Sequence, residues 1–209
     1  TWGPPAIDAT AQGQTHACRF AGKLNEVQEE AVDAAIDHMR VEGGGTMLVL
    51  PCGYGKTVCA LYIAATLGRR TLVLVHKNFL VEQWQQRTRA FIPDATIGHI
   101  QQDRVNADAD IVVAMVQSIA KREYAKHIFE QFGLVIVDEA HHMSAPIFSR
   151  ALRQLPMRHI LALSATPERR DGLTPLLYWS MGRIGHRIER KPEATNVSCM
   201  LYEGGTRKE

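Results

Sequence analysis

Two short stretches hold the residues whose types and spacing could do chemistry. The first is Leu48-Val49-Leu50-Pro51-Cys52-Gly53-Tyr54-Gly55-Lys56-Thr57: an apolar run, a loop with two glycines, and Gly-Lys-Thr opening a helical pattern. That order suits phosphate. Glycines let successive backbone N–H groups converge on phosphate oxygens, a helix N-terminus adds positive dipole, and Lys56 adds a full charge. The Thr57 hydroxyl is of the kind that ligates Mg2+. The strict Walker pattern asks for Gly five residues before Gly55, where Leu50 stands. The loop therefore departs from it.

The second stretch is Leu134-Val135-Ile136-Val137-Asp138-Glu139-Ala140-His141, four apolar residues delivering two carboxylates at a strand end. In an open parallel sheet, ligands gather at the carboxyl ends of the strands. Asp138 and Glu139 should emerge beside the loop after Pro51 if the two strands are close neighbours. One carboxylate could then hold Mg2+ through water while the other orients and deprotonates an attacking water. The plainer alternative is a solvated carboxylate pair. Zinc at His141 and His142 is disfavoured, because neighbouring histidines alternate in direction and no Cys or His at ligand spacing completes a site.

The rest of the chain must supply elements that bring these stretches together. Val27, Ala31, Val32, Ala35, Ile36 and Met39 recur at helical spacing behind an acidic start and end at Gly43-Gly44-Gly45. A regular alternation follows. Strands are expected at Thr46–Leu50, Arg70–His76, Ala95–Ile100, Asp110–Val116, Leu134–Val137 and Arg158–Leu163. Helices are expected at Lys56–Leu67, closed by Gly68, at Asn78–Phe91 and at Ala120–Phe132, with a helical or irregular stretch through Leu155. Near-continuous Val/Ile/Leu strands alternating with helices predict an α/β fold, a mostly parallel sheet with helices on both faces. Residues 1–18 read as an extended lead-in with a short strand near Ala17–Phe20. Toward the end, Leu173–Trp179 reads as a helix closed by Gly182 and Gly185, then Arg187–Lys191 and Val197–Tyr202 as strands.

At 209 residues and 45% hydrophobic, the chain is long enough for one full core. A net charge of +2 gives no global case for nucleic acid, so a basic surface would have to be local. Cys18, Cys52, Cys59 and Cys199 form no C-x-x-C pair and read as reduced thiols of a cytosol-like compartment. No apolar run reaches the roughly 18–20 residues of a membrane span. The chain starts at Thr1 and ends in a polar tail, and reads as a piece of something longer.

Pro51-x-Gly-x-Gly-Lys-Thr57, Asp138-Glu-Ala-His141 and Ser164-Ala-Thr-Pro167 occur here in the order and rough spacing of superfamily 2 helicases and translocases. The chain resembles the first RecA-like P-loop domain of the D-E-x-H branch. Leu50-Pro-Cys-Gly-Tyr-Gly-Lys-Thr57 and Ser164-Ala-Thr-Pro-Glu-Arg-Arg-Asp-Gly-Leu173 further resemble the XPB-like group with its phage and large-DNA-virus relatives. In that family the position of Leu50 is itself variable. The resemblance covers about Leu24 to Trp179.

It implies roles residue by residue. Pro51, Cys52, Gly53, Tyr54 and Gly55 would form the loop around the ATP phosphates, with Lys56 on the β- and γ-phosphates and Thr57 on Mg2+. Asp138 would hold Mg2+ through water, and Glu139 would be the general base. Gln28 matches the glutamine that reads the adenine edge, although Asn25 and Val27 stand where the family has Arg and often an aromatic. A solvent-facing helix glutamine is the alternative. Phe20 could stack on the base or be a core aromatic. His141 with Ser164 and Thr166 would couple phosphate state to the nucleic-acid side. That side would include His76 and Lys77 after the second strand, where Asn78 could cap the next helix, and Gln117 and Ser118 as phosphate donors. Arg169, Arg170 and Arg183 form a local basic cluster whose safer reading is a solvated face. Trp84 and Trp179 read as core.

The resemblance predicts three segments: a lead-in over 1–22, a RecA-like ATP-binding domain over 23–185, and a linker over 186–209 toward a second RecA-like domain. The expected function is the ATP·Mg2+-binding half of a superfamily 2 helicase or translocase acting on nucleic acid, with DNA favoured over RNA. In this family the arginine fingers sit in the second domain, so slow hydrolysis is expected from this piece alone. The rivals are a restriction- or chromatin-type duplex translocase that does not unwind, and a nucleotide-dependent binding module. A P-loop kinase fits less well, since Ser164-Ala-Thr166 has no role there. The expected location is intracellular, cytoplasmic or nuclear, with a viral or phage origin compatible with the subgroup.

Overall fold

The computed structural model describes residues 11–41, 44–102, 104–139, 145–166 and 181–188. His141, His142, Arg169, Arg170, the expected helix at Leu173–Trp179 and the expected strand at Val197–Tyr202 lie outside the described residues. Within them the elements alternate: α1 (Glu26–Val41), β1 (Gly45–Val49), α2 (Lys56–Leu67), β2 (Thr71–Val75), α3 (Asn78–Phe91), β3 (Ile97–Gln101), β4 (Arg104–Asn106), β5 (Ile111–Met115), α4 (Val116–Lys121), α5 (His127–Glu130), β6 (Leu134–Val137), α6 (Ala145–Leu152), β7 (His159–Ser164) and β8 (Arg183–Arg187).

The strands form one sheet in the order β4-β3-β5-β2-β6-β7-β1-β8, parallel throughout except for the β3–β4 pair. Their apolar runs are explained by burial on both faces, since successive side chains point to opposite sides of a strand. Leu48, Val73, Ile111, Val113, Ile136, Leu161 and Leu163 enter a core shared with α1, α2 and α3. Met47, Val49, Leu72, Leu74, Val112, Ala114, Val135, Val137 and Ala162 enter a second core shared with α4, α5 and α6.

Several expectations are corrected. The helix expected at Ala120–Phe132 is two short helices, because Arg122 takes an extended backbone (φ −128°, ψ 148°). Gln154 compensates for the break. Its amide donates to the carbonyls of Ile119 (2.6 Å) and Arg122 (2.8 Å) and accepts from the Tyr124 N–H (3.2 Å). A strand runs over Arg183–Arg187, so Gly185 lies inside a strand rather than closing a helix, and residues 189–191 of the strand expected at Arg187–Lys191 lie outside the described residues. Pairing with β1 makes the Arg183–Arg187 strand part of the sheet.

No strand forms over Ala17–Phe20. The lead-in instead makes bridges at Ala11–Met157 and Thr15–Arg69, and the Ala21 N–H bonds the Phe91 carbonyl at 2.7 Å. Residues 11–22 are thus tied to the domain. Phe20 stacks on Phe91 and meets Tyr62 edge-on, the core alternative of its two readings. The edge strand β4 carries no apolar alternation and was not expected; its residues are exposed.

Candidate functional site

The site is assembled at the carboxyl ends of β1, β6 and β7. The strands β1 and β6 are not direct neighbours, as β7 lies between them. The consequence is useful: the Ser164–Thr166 turn that leaves β7 falls between the glycine loop and the carboxylate pair. The Leu50 N–H donates to the Ser164 carbonyl at 3.0 Å, locking the loop's entry to that turn. The Ser164 hydroxyl donates to the Thr166 carbonyl at 2.6 Å and accepts the Thr166 N–H at 3.2 Å. The structure therefore joins Ser164 and Thr166, while their expected partner His141 lies outside the described residues.

In the loop, Gly53 (φ 87°) and Gly55 (φ 81°) both occupy the left-handed region, where an L side chain is strained. Gly55 ends the turn and caps α2, whose first residues are Lys56 and Thr57. Pro51 accepts the Tyr54 N–H at 3.3 Å, closing the turn, and Cys52 is exposed on it. Lys56 curls back so that Nζ donates to the Leu50 carbonyl at 3.2 Å and sits 3.5 Å from Glu139 Oε1. The two side chains are 10% and 23% exposed, so their attraction is screened less than that of a surface pair. Glu139 itself has φ 49°. A non-glycine residue in that region is held there by its surroundings, and such outliers cluster at functional sites.

Asp138 is 6% exposed. Its N–H donates to the Leu74 carbonyl at 3.0 Å, and its Oδ2 accepts the indole N–H of Trp84 at 2.8 Å. Burial pushes its carboxyl above the usual carboxylate range; the Trp84 hydrogen bond opposes this, Glu139 adds to it and Lys56 opposes it. Such a carboxylate gains from a nearby cation. With the Thr57 hydroxyl it offers hard oxygen ligands, which suit Mg2+. Among the described residues, no three or more His, Cys, Asp or Glu are grouped to hold a metal. Mg2+ does not require such a cage, since it takes one or two protein oxygens with water and substrate phosphates.

Gln28 has a role the sequence reading missed. Asn25 and Gln28 form a reciprocal cap at the start of α1, Gln28 N–H to Asn25 Oδ1 at 2.9 Å and Asn25 N–H to Gln28 Oε1 at 3.1 Å. The other end of the same amide donates to the Tyr54 carbonyl at 3.1 Å. The side chain thus ties the start of α1 to the glycine loop. The Asn-x-x-Gln spacing before an apolar helix was the available signal.

A second face lies at the carboxyl ends of β2, β3 and β5. Gln117 and Ser118 begin α4 rather than ending a strand. With Asn78, Gln101, Lys121 and Arg122 they line a cavity of about 340 Å3. Gln117 Nε2 donates to the His76 carbonyl at 3.1 Å, and the Gln102 N–H donates to Ser118 Oγ at 3.0 Å. Asn78 does not cap α3 with its side chain; Lys77 occupies the cap position, and Asn78 Oδ1 accepts from Gln101 at 3.2 Å. Lys77 lies over the Phe79 ring at 5.9 Å. The structure brings His76, Gln117 and Ser118 together and adds Gln101, Lys121 and Arg122, which no local motif announced.

Residues 21–169 match the family model described as type III restriction enzyme, res subunit. A putative ATP-dependent RNA helicase of Acanthamoeba polyphaga mimivirus is 38% identical over 209 residues, covering 99% of this chain and 40% of that protein. A putative helicase of Frog virus 3 is 32% identical over 190 residues, covering 90% and 42%. The chain therefore spans about two fifths of the length of these relatives. Among solved structures, a Sulfolobus solfataricus SWI2/SNF2 ATPase core in complex with dsDNA superposes with a TM-score of 0.66 at 18% identity, covering 82% of this chain and 38% of that one. The UvsW helicase from bacteriophage T4 gives 0.63 at 21% identity, covering 88% and 71%. The chain belongs to the type III restriction enzyme res-subunit family, and its fold is the one seen in the SWI2/SNF2 core and in UvsW.

Proposed function

We propose that this domain is the ATP·Mg2+-binding half of a superfamily 2 DNA helicase or translocase. The observation that carries the reading is the convergence of Lys56, Asp138 and Glu139 from the ends of β1 and β6, with Ser164 and Thr166 at the end of β7 between them. In this reading Cys52 to Gly55 cradle the phosphates with backbone N–H groups, Pro51 sets the entry to the loop, and Lys56 exchanges Glu139 for the terminal phosphates. Bound Mg2+ neutralises charge on the phosphates undergoing transfer. Thr57 and Asp138 hold the metal side. Glu139, released from Lys56, accepts the proton of the attacking water. Gln28 meets the adenine edge with an amide already anchored on the loop, so base occupancy and loop geometry are read by one side chain.

His76, Lys77, Gln117 and Ser118 would contact the nucleic-acid backbone, which positions a strand without reading its sequence. His141 would report the phosphate state to Ser164 and Thr166. A second RecA-like domain in cis would supply the arginines that complete the transition-state site. Among the described residues no helix is long and apolar enough to cross a membrane. As part of the same proposal, the protein acts inside the cell, on DNA in preference to RNA.

The test is turnover by the full-length protein with and without DNA. Nucleic-acid-stimulated ATP hydrolysis that Glu139→Gln abolishes supports the reading; unchanged turnover in that variant refutes it, and no turnover by the wild type with or without DNA leaves a nucleotide-dependent binding module. A duplex translocase that does not unwind is the second reading, favoured by the likeness to a core solved on dsDNA. Duplex-stimulated hydrolysis without strand displacement would establish it.

A further inference from the structure

We propose that Trp84 is a positioning residue for Asp138, its indole N–H fixing the carboxylate in the orientation that serves the metal side of the site. The inference rests on the reading of Asp138 as the metal-side carboxylate. Trp84 lies in the middle of α3, 1% exposed, on the stripe formed by Leu80, Val81, Trp84 and Thr88. A buried indole N–H must find an acceptor, and here the acceptor is Asp138 Oδ2 at 2.8 Å. That length lies within the ordinary N–H···O range.

A core tryptophan needs no carboxylate. A carbonyl would satisfy it at far lower cost, as the Trp84 carbonyl itself satisfies the Thr88 hydroxyl at 2.9 Å. An ionisable acceptor that is 6% exposed is an expensive partner, and its presence is explained if the carboxylate has other work. The bond also supplies what that work requires. The Asp138 backbone is held from β2 through the Leu74 carbonyl, but the terminal torsion of an aspartate is broad and does not choose an orientation by itself. Trp84 removes that freedom by holding Oδ2, and a hydrogen bond from the Glu139 backbone supports the same carboxylate. Partners of metal-side ligands act in this way, and losing one typically weakens metal affinity or activity by about 10–100-fold.

The test uses the full-length protein with a non-hydrolysable ATP analogue. Mn2+ standing in for Mg2+ is titrated by electron paramagnetic resonance into wild type, Trp84→Phe, Asp138→Ala and the double variant. Trp84→Phe keeps a large ring in the core and removes only the donor and part of the indole. The expected result is Mn2+ affinity lowered about 10–100-fold in Trp84→Phe, unchanged analogue binding in EDTA, and no further loss when Trp84→Phe is added to Asp138→Ala. Wild-type Mn2+ affinity in Trp84→Phe beside a weakened Asp138→Ala overturns the inference and leaves the metal-side reading standing. If Asp138→Ala also binds Mn2+ normally, that reading fails and the inference with it. Should Trp84→Phe not fold, the indole N–H resonance of Trp84 in 15N-labelled wild type decides. It should shift when Mg2+ is added to the analogue complex, and a resonance that stays in place overturns the proposal.

Discussion

Lys56 Nζ stands 3.5 Å from Glu139 Oε1 and 3.2 Å from the Leu50 carbonyl oxygen, so one ammonium holds the loop's entry and the proposed base together. Phosphate must compete with Glu139 for that ammonium. Neutralising the carboxylate should therefore favour binding while removing the base. Glu139→Gln is expected to bind ATP as tightly as wild type or more so, with turnover reduced about 10²–10⁴-fold. Lys56→Gln should lose both affinity and turnover. Fluorescent-nucleotide titration and phosphate release on the full-length protein measure the pair. Weaker binding in Glu139→Gln would contradict the competition.

The two loop glycines should differ when replaced. Alanine at either position meets a left-handed backbone, a penalty of about 1–2 kcal/mol. At Gly53 a Cβ meets nothing within 4 Å, whereas at Gly55 it would lie 2.5 Å from Gln28 Nε2. That amide can swing away, but only by leaving the Tyr54 carbonyl. Gly55→Ala should thus cost about 0.5–1.5 kcal/mol more than Gly53→Ala in denaturant unfolding. In a Gln28→Ala background the difference should vanish.

Most of the sheet was legible because its strands are buried on both faces and read as unbroken Val/Ile/Leu runs. The helix Lys56–Leu67 was legible to its last residue, since Gly68 closes it in the left-handed conformation (φ 59°). Local pattern failed where a distant side chain decides the structure. Gln154 stabilises the break between α4 and α5 from 30 to 35 positions away. The edge strand β4 is exposed and has no apolar signature. For the site, the order of motifs announced Lys56, Asp138 and Glu139. Trp84 was read as core, and it is core, but the partner of its N–H is 54 residues along the chain. No spacing rule reaches that far.

Asp138 should weigh against stability in the absence of metal and nucleotide. Its carboxyl lies above the ordinary carboxylate range, through burial first and Glu139 next, against the opposing hydrogen bond from Trp84. A raised acid is most favourable to the fold when protonated, and that benefit is lost as pH rises through the folded value. Asp138→Asn is uncharged at all pH and can still accept the Trp84 N–H. It should melt above wild type at pH 7.5, by about 2–4 °C for each kcal/mol gained, and the gap should close toward pH 4. Thermal unfolding in EDTA measures this, and a lower melting temperature at pH 7.5 would contradict it.

Acid should unfold the domain in two stages, and the first belongs to histidines. His16 and His159 are held below the ordinary value of 6.5, chiefly by burial of the ring; Arg158 and Arg69 depress His159 further, whereas Asp110 partly offsets the effect at His16. The unfolded chain therefore takes up these protons first, and stability falls as pH drops from about 6.5 through the lowered folded values. Both rings are half-buried, so solvent screens part of the effect. The second stage involves Asp110. Burial alone would raise its carboxyl, but hydrogen bonds from Thr96 Oγ1 (2.6 Å) and N–H (2.9 Å) prevail with the help of His16 and Cys18, and the net shift is downward from 3.8. That contribution is present above 3.8 and is lost as pH falls through the lower folded value. Melting temperature followed from pH 8 to 3 should decline in both windows. The His159→Gln variant should flatten the first decline and leave the second, while Thr96→Val should weaken the second by removing the hydroxyl, one of the two donors to Asp110. A His159→Gln curve that declines between pH 7 and 5 as steeply as wild type would refute the histidine stage.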